Sequence, residues 1–405
     1  MSCETCPLDP ADLERVLAPI EYSRTLPAQA YVSEEVFAWE RRHFVEGSWV
    51  CVGRSDEISD PGEQLALDIG SEGVLLVRDA SGALLAFSNV CRHRGHELLQ
   101  GGESARARVI RCPYHAWVYD LDGTLRGAPN LRDVPGFDRS QHPLIPACVV
   151  EWSGWIFVNA SGDAANFDQH IGGLGNVLQP YEPVRLLVAA RHDYLVAANW
   201  KLIAENYHEC YHCSNIHPEL CRVTPIDSGV DLVPDGSWAG GTMELMDRAR
   251  TMSLTGESDG VMLRGLDHEQ RRHVVYLQIF PNLLVSAHPD YVMTHRLEPL
   301  DTGHTAVQCS WLFPPEALEG KRFDPGYAVE FWDITNRQDW AACESVQRGA
   351  ANRGFRPGPL SPQESTLYQL LTMTARGYLE GAVARPQIAD VRLGQQSPVA
   401  GKGGA

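Results

Sequence analysis

Cys91-Arg92-His93-Arg94-Gly95 and, with eighteen residues intervening after His93, Cys112-Pro113-Tyr114-His115-Ala116-Trp117 are the two stretches on which the reading of this chain turns. Each short segment supplies one thiolate and one imidazole. Two thiolates and two imidazoles can hold a single zinc ion, or a 2Fe–2S cluster with the cysteines on one iron and the histidines on the other. Zinc sites of the Cys2His2 type usually pair Cys with Cys and His with His, so one of each per loop favours the cluster. On spacing alone, zinc and four unrelated core residues stay open as alternatives. Gly95, Gly101 and Gly102 permit tight turns that bring backbone N–H groups towards cluster sulfurs, and Pro113 stiffens the second loop.

Outward from these loops, residues 49–160 contain the runs VCVG, GVLLVRD, ALLAFSN, VIRC and WIFVNA, separated by Gly, Asp, Ser and Pro. That pattern predicts a small antiparallel β domain over residues 46–162. Before it, residues 33–44 (SEEVFAWERRHF) open with a capping serine and space Val36, Phe37 and Phe44 helically, which predicts a helix in an N-terminal segment, 1–45, that packs elsewhere in the molecule. After it come a helix-like stretch over 166–181, a strand near 186–196, a polar helix over 200–213, β-type runs over 241–314 and a long helix from Tyr327 to about residue 353. These define a larger domain over 163–394, and the Gly-containing tail 395–405 reads as disordered. The layout is α+β, and a chain of 405 residues has room for these two unequal domains.

Composition narrows the function. Lys and Arg number 34 against 52 Asp and Glu, a net charge of −18, and a nucleic-acid binder would carry the opposite sign. The N-terminus has no basic-then-apolar leader, and no eighteen apolar residues run together, so a soluble, cytoplasmic protein with no membrane contact is expected. The eleven cysteines are an odd count, which fits a reducing compartment. Cys91 and Cys112 aside, all are expected as free thiols; the Cys3–Cys6 pair has no second half nearby and reads as incidental.

A second cluster of ligand-type residues lies in Asn199-Trp-Lys-Leu-Ile-Ala-Glu205-Asn206-Tyr207-His208-Glu209-Cys210-Tyr211-His212-Cys213-Ser-Asn-Ile-His217-Pro218. On a continuous helix, at about 100° per residue, Glu209 and His212 share a face with Glu205 and His208. His217 falls about 140° away from His212, so both can reach one metal only if the helix unwinds between them, as Asn215 and Pro218 would allow. Two histidines and a distant carboxylate make the facial triad of non-heme Fe(II) oxygenases. Downstream, Asp333 and Asp339 are the candidates for that carboxylate. Six residues on a helix is about 240°, so they cannot both face one metal.

The CRHRG and CPYHAW segments resemble the Rieske iron–sulfur motif, and residues 199–218 resemble the mononuclear-iron helix of Rieske non-heme iron oxygenase catalytic subunits, in the same order along the chain. The resemblance implies a β Rieske domain followed by a catalytic domain whose antiparallel sheet wraps around helices in a helix-grip, START-like manner. It implies that Cys91 and Cys112 ligate one cluster iron and His93 and His115 the other. It makes His212 and His217 ligands of the mononuclear Fe(II), and it gives Glu209 the position of the acidic residue that bridges a Rieske histidine of a neighbouring subunit to His212. The family pattern of Asp followed by Glu, Gln and Gly falls on Asp339, Glu344, Gln347 and Gly349, which favours Asp339 over Asp333. Electrons from NAD(P)H would arrive through a separate flavin and iron–sulfur reductase, O2 would be the co-substrate, and a homotrimer would be the working assembly.

Most ring-hydroxylating relatives carry Asp at the bridging position, whereas Glu209 within ENYHECYHC resembles the branch acting on quaternary ammonium compounds such as glycine betaine, stachydrine, carnitine and choline. That resemblance implies hydroxylation of an N-methyl group and release of formaldehyde. A methylammonium group favours aromatic faces, for which Tyr207, Tyr211, Phe280, Tyr291 and Trp311 are the candidates. The competing readings are an aromatic-ring hydroxylase and a non-catalytic cluster or zinc protein. The second metal constellation opposes the latter.

Overall fold

The computed structural model describes residues 5–319 and 323–389, so Cys3 and the predicted tail 395–405 lie outside the described residues. The predicted β domain is built from β1 (Val50–Arg54), β2 (Glu63–Ile69), β3 (Glu72–Arg78), β4 (Leu84–Ser88), β5 (Ser104–Arg106), β6 (Ile110–Arg111), β7 (Val118–Tyr119), β8 (Leu125–Gly127), β9 (Pro146–Trp152) and β10 (Trp155–Asn159). Its main antiparallel sheet runs β1-β10-β9-β4-β3-β2-β5, and a three-stranded sheet runs β6-β7-β8. The unbroken apolar run of β3 has a structural cause. Val74 and Leu76 face a core with Ile156 and Val158, while Leu75 and Val77 face another with Phe87, Cys91 and Cys112, so both faces of the strand are buried. The tight β9–β10 hairpin is closed by Ser153 and Gly154, both in the left-handed region (φ 51° and 84°), as a two-residue turn between twisted strands demands.

The larger domain contains β11 (Leu187–Val196), β12 (Val230–Asp231), β13 (Trp238–Glu244), β14 (His273–Ile279), β15 (Leu283–Ala287), β16 (Val292–Asp301) and β17 (His304–Phe313), in the order β11-β17-β16-β15-β14-β13-β12 with every pair antiparallel. Four helices matter to the site: α1 (Glu34–Glu40), α2 (Trp200–Tyr207), α3 (Gly326–Ala350) and α4 (Ser365–Glu380). Strand periodicity sorts the sheet's residues. Val307, Cys309, Trp311 and Phe313 of β17 face the core shared with α2, α3 and α4, whereas Leu312 faces a second core containing Trp49, Trp155 and Phe157 of the β domain. The sheet thus wraps its helices on one side and carries the β domain on the other.

Several elements depart from their predicted extents. The helix expected over 33–44 starts as read, with the Ser33 hydroxyl accepting from Val36 N–H, but its last turn widens into a π-helix, Arg41–Glu46. The 166–181 stretch breaks into Phe167–Ile171, Leu174–Leu178 and a 3-10 turn, because Gly172 and Gly173 interrupt it. The helix α4, whose Leu367, Leu370, Leu371 and Tyr378 are buried, was not predicted. The N-terminal segment lies on the larger domain through a buried polar knot. The Glu40 carboxylate accepts from Lys201 Nζ (2.7 and 2.9 Å), Trp200 Nε1 (2.9 Å) and the Tyr378 hydroxyl, joining α1, α2 and α4. The two domains are clamped as well. Asn282 accepts from Cys51 N–H and donates to Cys51 C=O, both at 2.9 Å, and Arg54 donates to the carbonyls of Pro183 and Leu186. No described helix is long and apolar enough to cross a membrane.

Candidate active site

Two short loops at one end of the β domain carry the first constellation. Each is closed by the backbone of its own cysteine: Cys91 N–H donates to His96 C=O (2.8 Å) and Cys112 N–H to Trp117 C=O (2.9 Å). Gly95 turns the first loop at φ 73°. Cys91 and Cys112 are buried, at 2% and 1% exposure, while His93 is exposed and its ring stands 4.6 Å from that of His115, centroid to centroid. Trp117 stacks on His93 at 5.0 Å. Tyr119 Oη lies 3.4 Å from Cys91 Sγ and accepts from Arg92 N–H (3.0 Å), which leaves its own hydrogen for the sulfur. Buried sulfurs on one side and paired imidazoles at the surface fit a two-iron cluster with divided ligands; a thiolate that receives an O–H hydrogen bond also fits a cluster of raised potential.

The second constellation forms where the predicted helix stops. α2 ends at Tyr207, and His208 caps it by turning Nδ1 back onto Ala204 C=O (2.7 Å). Residues 209–212 are therefore not helical, which corrects the expectation that Glu209 and His212 meet on one helical face. They meet because the Glu209 carboxylate accepts from the N–H groups of Tyr211 (2.6 Å) and His212 (3.1 Å), folding a tight turn ahead of the short helix Cys213–Ile216. In that turn Glu209 Oε1 reaches His212 Nδ1. His217 closes the short helix, and its Nε2 comes to 3.1 Å from His212 Nε2.

The carboxylate arrives from α3. Asp339 Oδ1 lies 2.8 Å from His217 Nε2 and 3.4 Å from His212 Nε2, and the three ligand atoms lie within 4.8 Å of one another. Ligand bonds of about 2.1 Å at right angles would place adjacent donors about 3.0 Å apart, so the set fits a single small divalent ion with open positions. Asp333, the other candidate, is turned away. It accepts from Tyr194 Oη (2.6 Å) and Arg337 Nε (2.8 Å). Burial opposes charge on His212, but Asp339 and Glu209 outweigh it and raise its pKa to about 9; burial likewise opposes charge on Asp339, and the two histidines overcome it and hold the carboxyl below its usual range.

Beside the triad is a cavity of about 90 Å3, walled by Tyr207, Tyr276, Trp332, Met243 and Met252. Of the five aromatic candidates, Tyr207 is the one on this wall. Tyr211 is 59% exposed on the outer side of the turn. Phe280 packs against Phe44 and Trp200, Trp311 against His192, and Tyr291 sits behind the wall, its hydroxyl donating to Met252 C=O and accepting from Trp332 Nε1. Those three are core residues, because strand and loop register turn them from the cavity. Sequence reasoning missed Tyr276 and Trp332. For Trp332 a signal existed: with Thr335 and Asp339 it forms an i, i+3, i+7 stripe down α3. A further correction concerns the thiols. Cys210 and Cys213, expected as free, are joined by a disulfide across His212, since the tight turn brings them together.

Comparison with known proteins agrees with this architecture. Residues 48–138 match the Rieske [2Fe-2S] domain, and residues 183–380 match the ring hydroxylating alpha subunit (catalytic domain). The glycine betaine monooxygenase oxygenase subunit of Chromohalobacter salexigens is 31% identical over 365 residues, 83% of this chain and 82% of that protein. The carnitine monooxygenase oxygenase subunit of Escherichia coli K12 is 33% identical over 337 residues, 82% of this chain and 86% of its own length. The solved structure of a quaternary ammonium Rieske monooxygenase, described for carnitine oxidation and inter-subunit electron transfer, superimposes with a TM-score of 0.75 at 25% identity, covering 93% of this chain and 99% of that one.

Proposed function

The chain belongs to the quaternary ammonium branch of the Rieske non-heme iron oxygenases, and we propose that it hydroxylates an N-methyl group of a quaternary ammonium substrate. One O2, two electrons and two protons convert the methyl to a hydroxymethyl group with loss of water; its N–C bond then breaks, giving formaldehyde, a proton and the demethylated amine. The electrons come from NAD(P)H through a separate flavin and iron–sulfur reductase. We place the protein in the cytoplasm as a homotrimer.

Cys91, His93, Cys112 and His115 would hold the 2Fe–2S cluster, and His212, His217 and Asp339 the mononuclear Fe(II). When bound, the cluster supplies single electrons and the mononuclear iron supplies activation of O2. The chain's own residues set the conditions. Glu209 holds the Nδ1 hydrogen of His212, so that the ring's other nitrogen faces Asp339 and His217. On the opposite, outer side, the same carboxylate is where we expect a Rieske histidine of a neighbouring subunit to connect. Tyr207, Tyr276 and Trp332 line the cavity as the aromatic groups a methylammonium head would pack against, and Met243 and Met252 add apolar lining.

The observation that carries this reading is the cavity's lining. Tyr207, Tyr276, Trp332 and two methionines stand beside the triad, and no Lys or Arg among the described residues lines the cavity, which suits a methylammonium head. The test is O2 uptake and formaldehyde release with a panel of betaine-type and aromatic compounds, driven by a competent reductase. One formaldehyde per O2 with an ammonium substrate is expected; a hydroxylated ring without formaldehyde would overturn the reading.

A further inference from the structure

The two imidazoles of the triad are held by different acceptors. His212 Nδ1 meets the Glu209 carboxylate, whereas His217 Nδ1 lies 2.7 Å from the amide oxygen of Gln338, and Gln338 Nε2 donates to Glu219 Oε2 at 3.2 Å. Gln338 lies outside the cavity wall and immediately precedes Asp339 on α3, so one helix supplies both a ligand and the support of another.

The chain of donors has one consistent direction. Glu219 can only accept while ionised, so it takes the amide NH2 of Gln338 and turns the amide oxygen towards His217. An oxygen there accepts the Nδ1 hydrogen, which fixes the tautomer and leaves the Nε2 lone pair aimed at the point where Asp339 and His212 converge. Were the amide reversed, its NH2 would confront Nδ1, and the ring would be driven to carry its hydrogen on the metal side. His217 is 1% exposed, so water does not readily replace the lost acceptor.

We propose that Gln338, oriented by Glu219, is a positioning residue for the mononuclear metal site, acting through His217. The inference rests on the reading of His212, His217 and Asp339 as the iron ligands. It also gives the two histidines different supports, a carboxylate at His212 and a neutral amide at His217.

The test uses full-length protein carrying its Rieske cluster, with the mononuclear iron removed by chelator and Fe(II) titrated back against a competing chelator. Gln338→Leu is expected to weaken Fe(II) binding about ten- to hundredfold and to change the EPR signal of the nitric oxide adduct, with the Rieske absorption unaltered. Gln338→Glu combined with Glu219→Gln exchanges the two groups, keeping an acceptor for His217 and a donor between positions 219 and 338 without facing two carboxylates, and is expected to bind within a few-fold of wild type. Glu219→Leu should weaken binding in the same direction, and combining it with Gln338→Leu should add nothing, because Glu219 acts only through the amide. Wild-type affinity and an unchanged signal in both Gln338→Leu and Glu219→Leu would overturn the proposal. Should Gln338→Leu fail to fold, Glu219→Leu decides alone. His217→Ala is the control for the underlying reading: if it binds Fe(II) as wild type does, the ligand assignment fails, whatever Gln338 does.

Discussion

Glu209 holds the Nδ1 edge of His212, on the far side of that ring from the nitrogen facing Asp339. One carboxylate therefore both folds the turn that carries His212 and sets which of its nitrogens is free. Glu209→Gln keeps an acceptor but removes the charge. Substrate-dependent oxidation of the reduced cluster should slow about ten- to hundredfold, read by stopped-flow absorbance, while the resting Rieske spectrum stays as in wild type. An unchanged rate would remove Glu209 from the electron path.

The two aspartates of α3 separate cleanly by experiment. Asp339→Ala should abolish mononuclear iron and formaldehyde production with the cluster retained. Asp333→Ala, which loses contacts with Tyr194, Arg337 and His192, should keep its full iron content. Elemental analysis, at two cluster irons plus one per chain for wild type, distinguishes them. Iron loss in the Asp333 variant instead would reverse the assignment.

The Glu40 knot predicts a stability effect remote from the metals. Glu40→Ala strands Lys201, 2% exposed, without its counter-charge and leaves Trp200 Nε1 without an acceptor. A cost of about 3–5 kcal/mol in urea unfolding is expected. Glu40→Leu combined with Lys201→Met removes both charges and should recover most of that loss.

Buried histidines predict acid sensitivity. Burial pushes the pKa of His288 down from 6.5 to about 3, and those of His170 and His208 to about 4. Each is neutral when folded but takes up a proton when unfolded below about pH 6.5, so its contribution is complete above that value and is lost as the pH falls towards the folded pKa. His288→Phe, which keeps the stack on Tyr291, removes one such proton. The difference in unfolding free energy between wild type and variant should change by about 1.4 kcal/mol per pH unit below pH 6.5. A pH-independent difference would show that His288 is charged in the folded protein.

Much of this was legible beforehand, for identifiable reasons. The Cys91–His93 and Cys112–His115 loops declare themselves because ligand types recur at short spacing among turn formers. The helical angle over six residues showed only that Asp333 and Asp339 cannot share one metal; the choice of Asp339 came from the family pattern that falls on Asp339, Glu344, Gln347 and Gly349. The end of α2 was not legible. Nothing in ENYHECYHC distinguishes a continuing helix from one in which Glu209 uses its carboxylate on the next turn's N–H groups. The disulfide followed from that same turn, and compartment arguments about cysteine are silent on such proximity. The cavity wall depended on strand register: Tyr276 faces it and Tyr291 lies behind it, although both read as strand aromatics.

The Asn282 amide, bonded to both polar groups of the Cys51 backbone, imitates a neighbouring strand at the outer edge of β1. A free edge there would invite another chain to add on, and here that template is already used. With Arg54 and the aromatic layer of Trp49, Trp155 and Phe157 alongside it, the seam fastens the two halves of the chain through polar and apolar contacts at once. The half that carries the Cys91 and Cys112 loops is thereby tied to the larger domain by its edge strand as well as by its core.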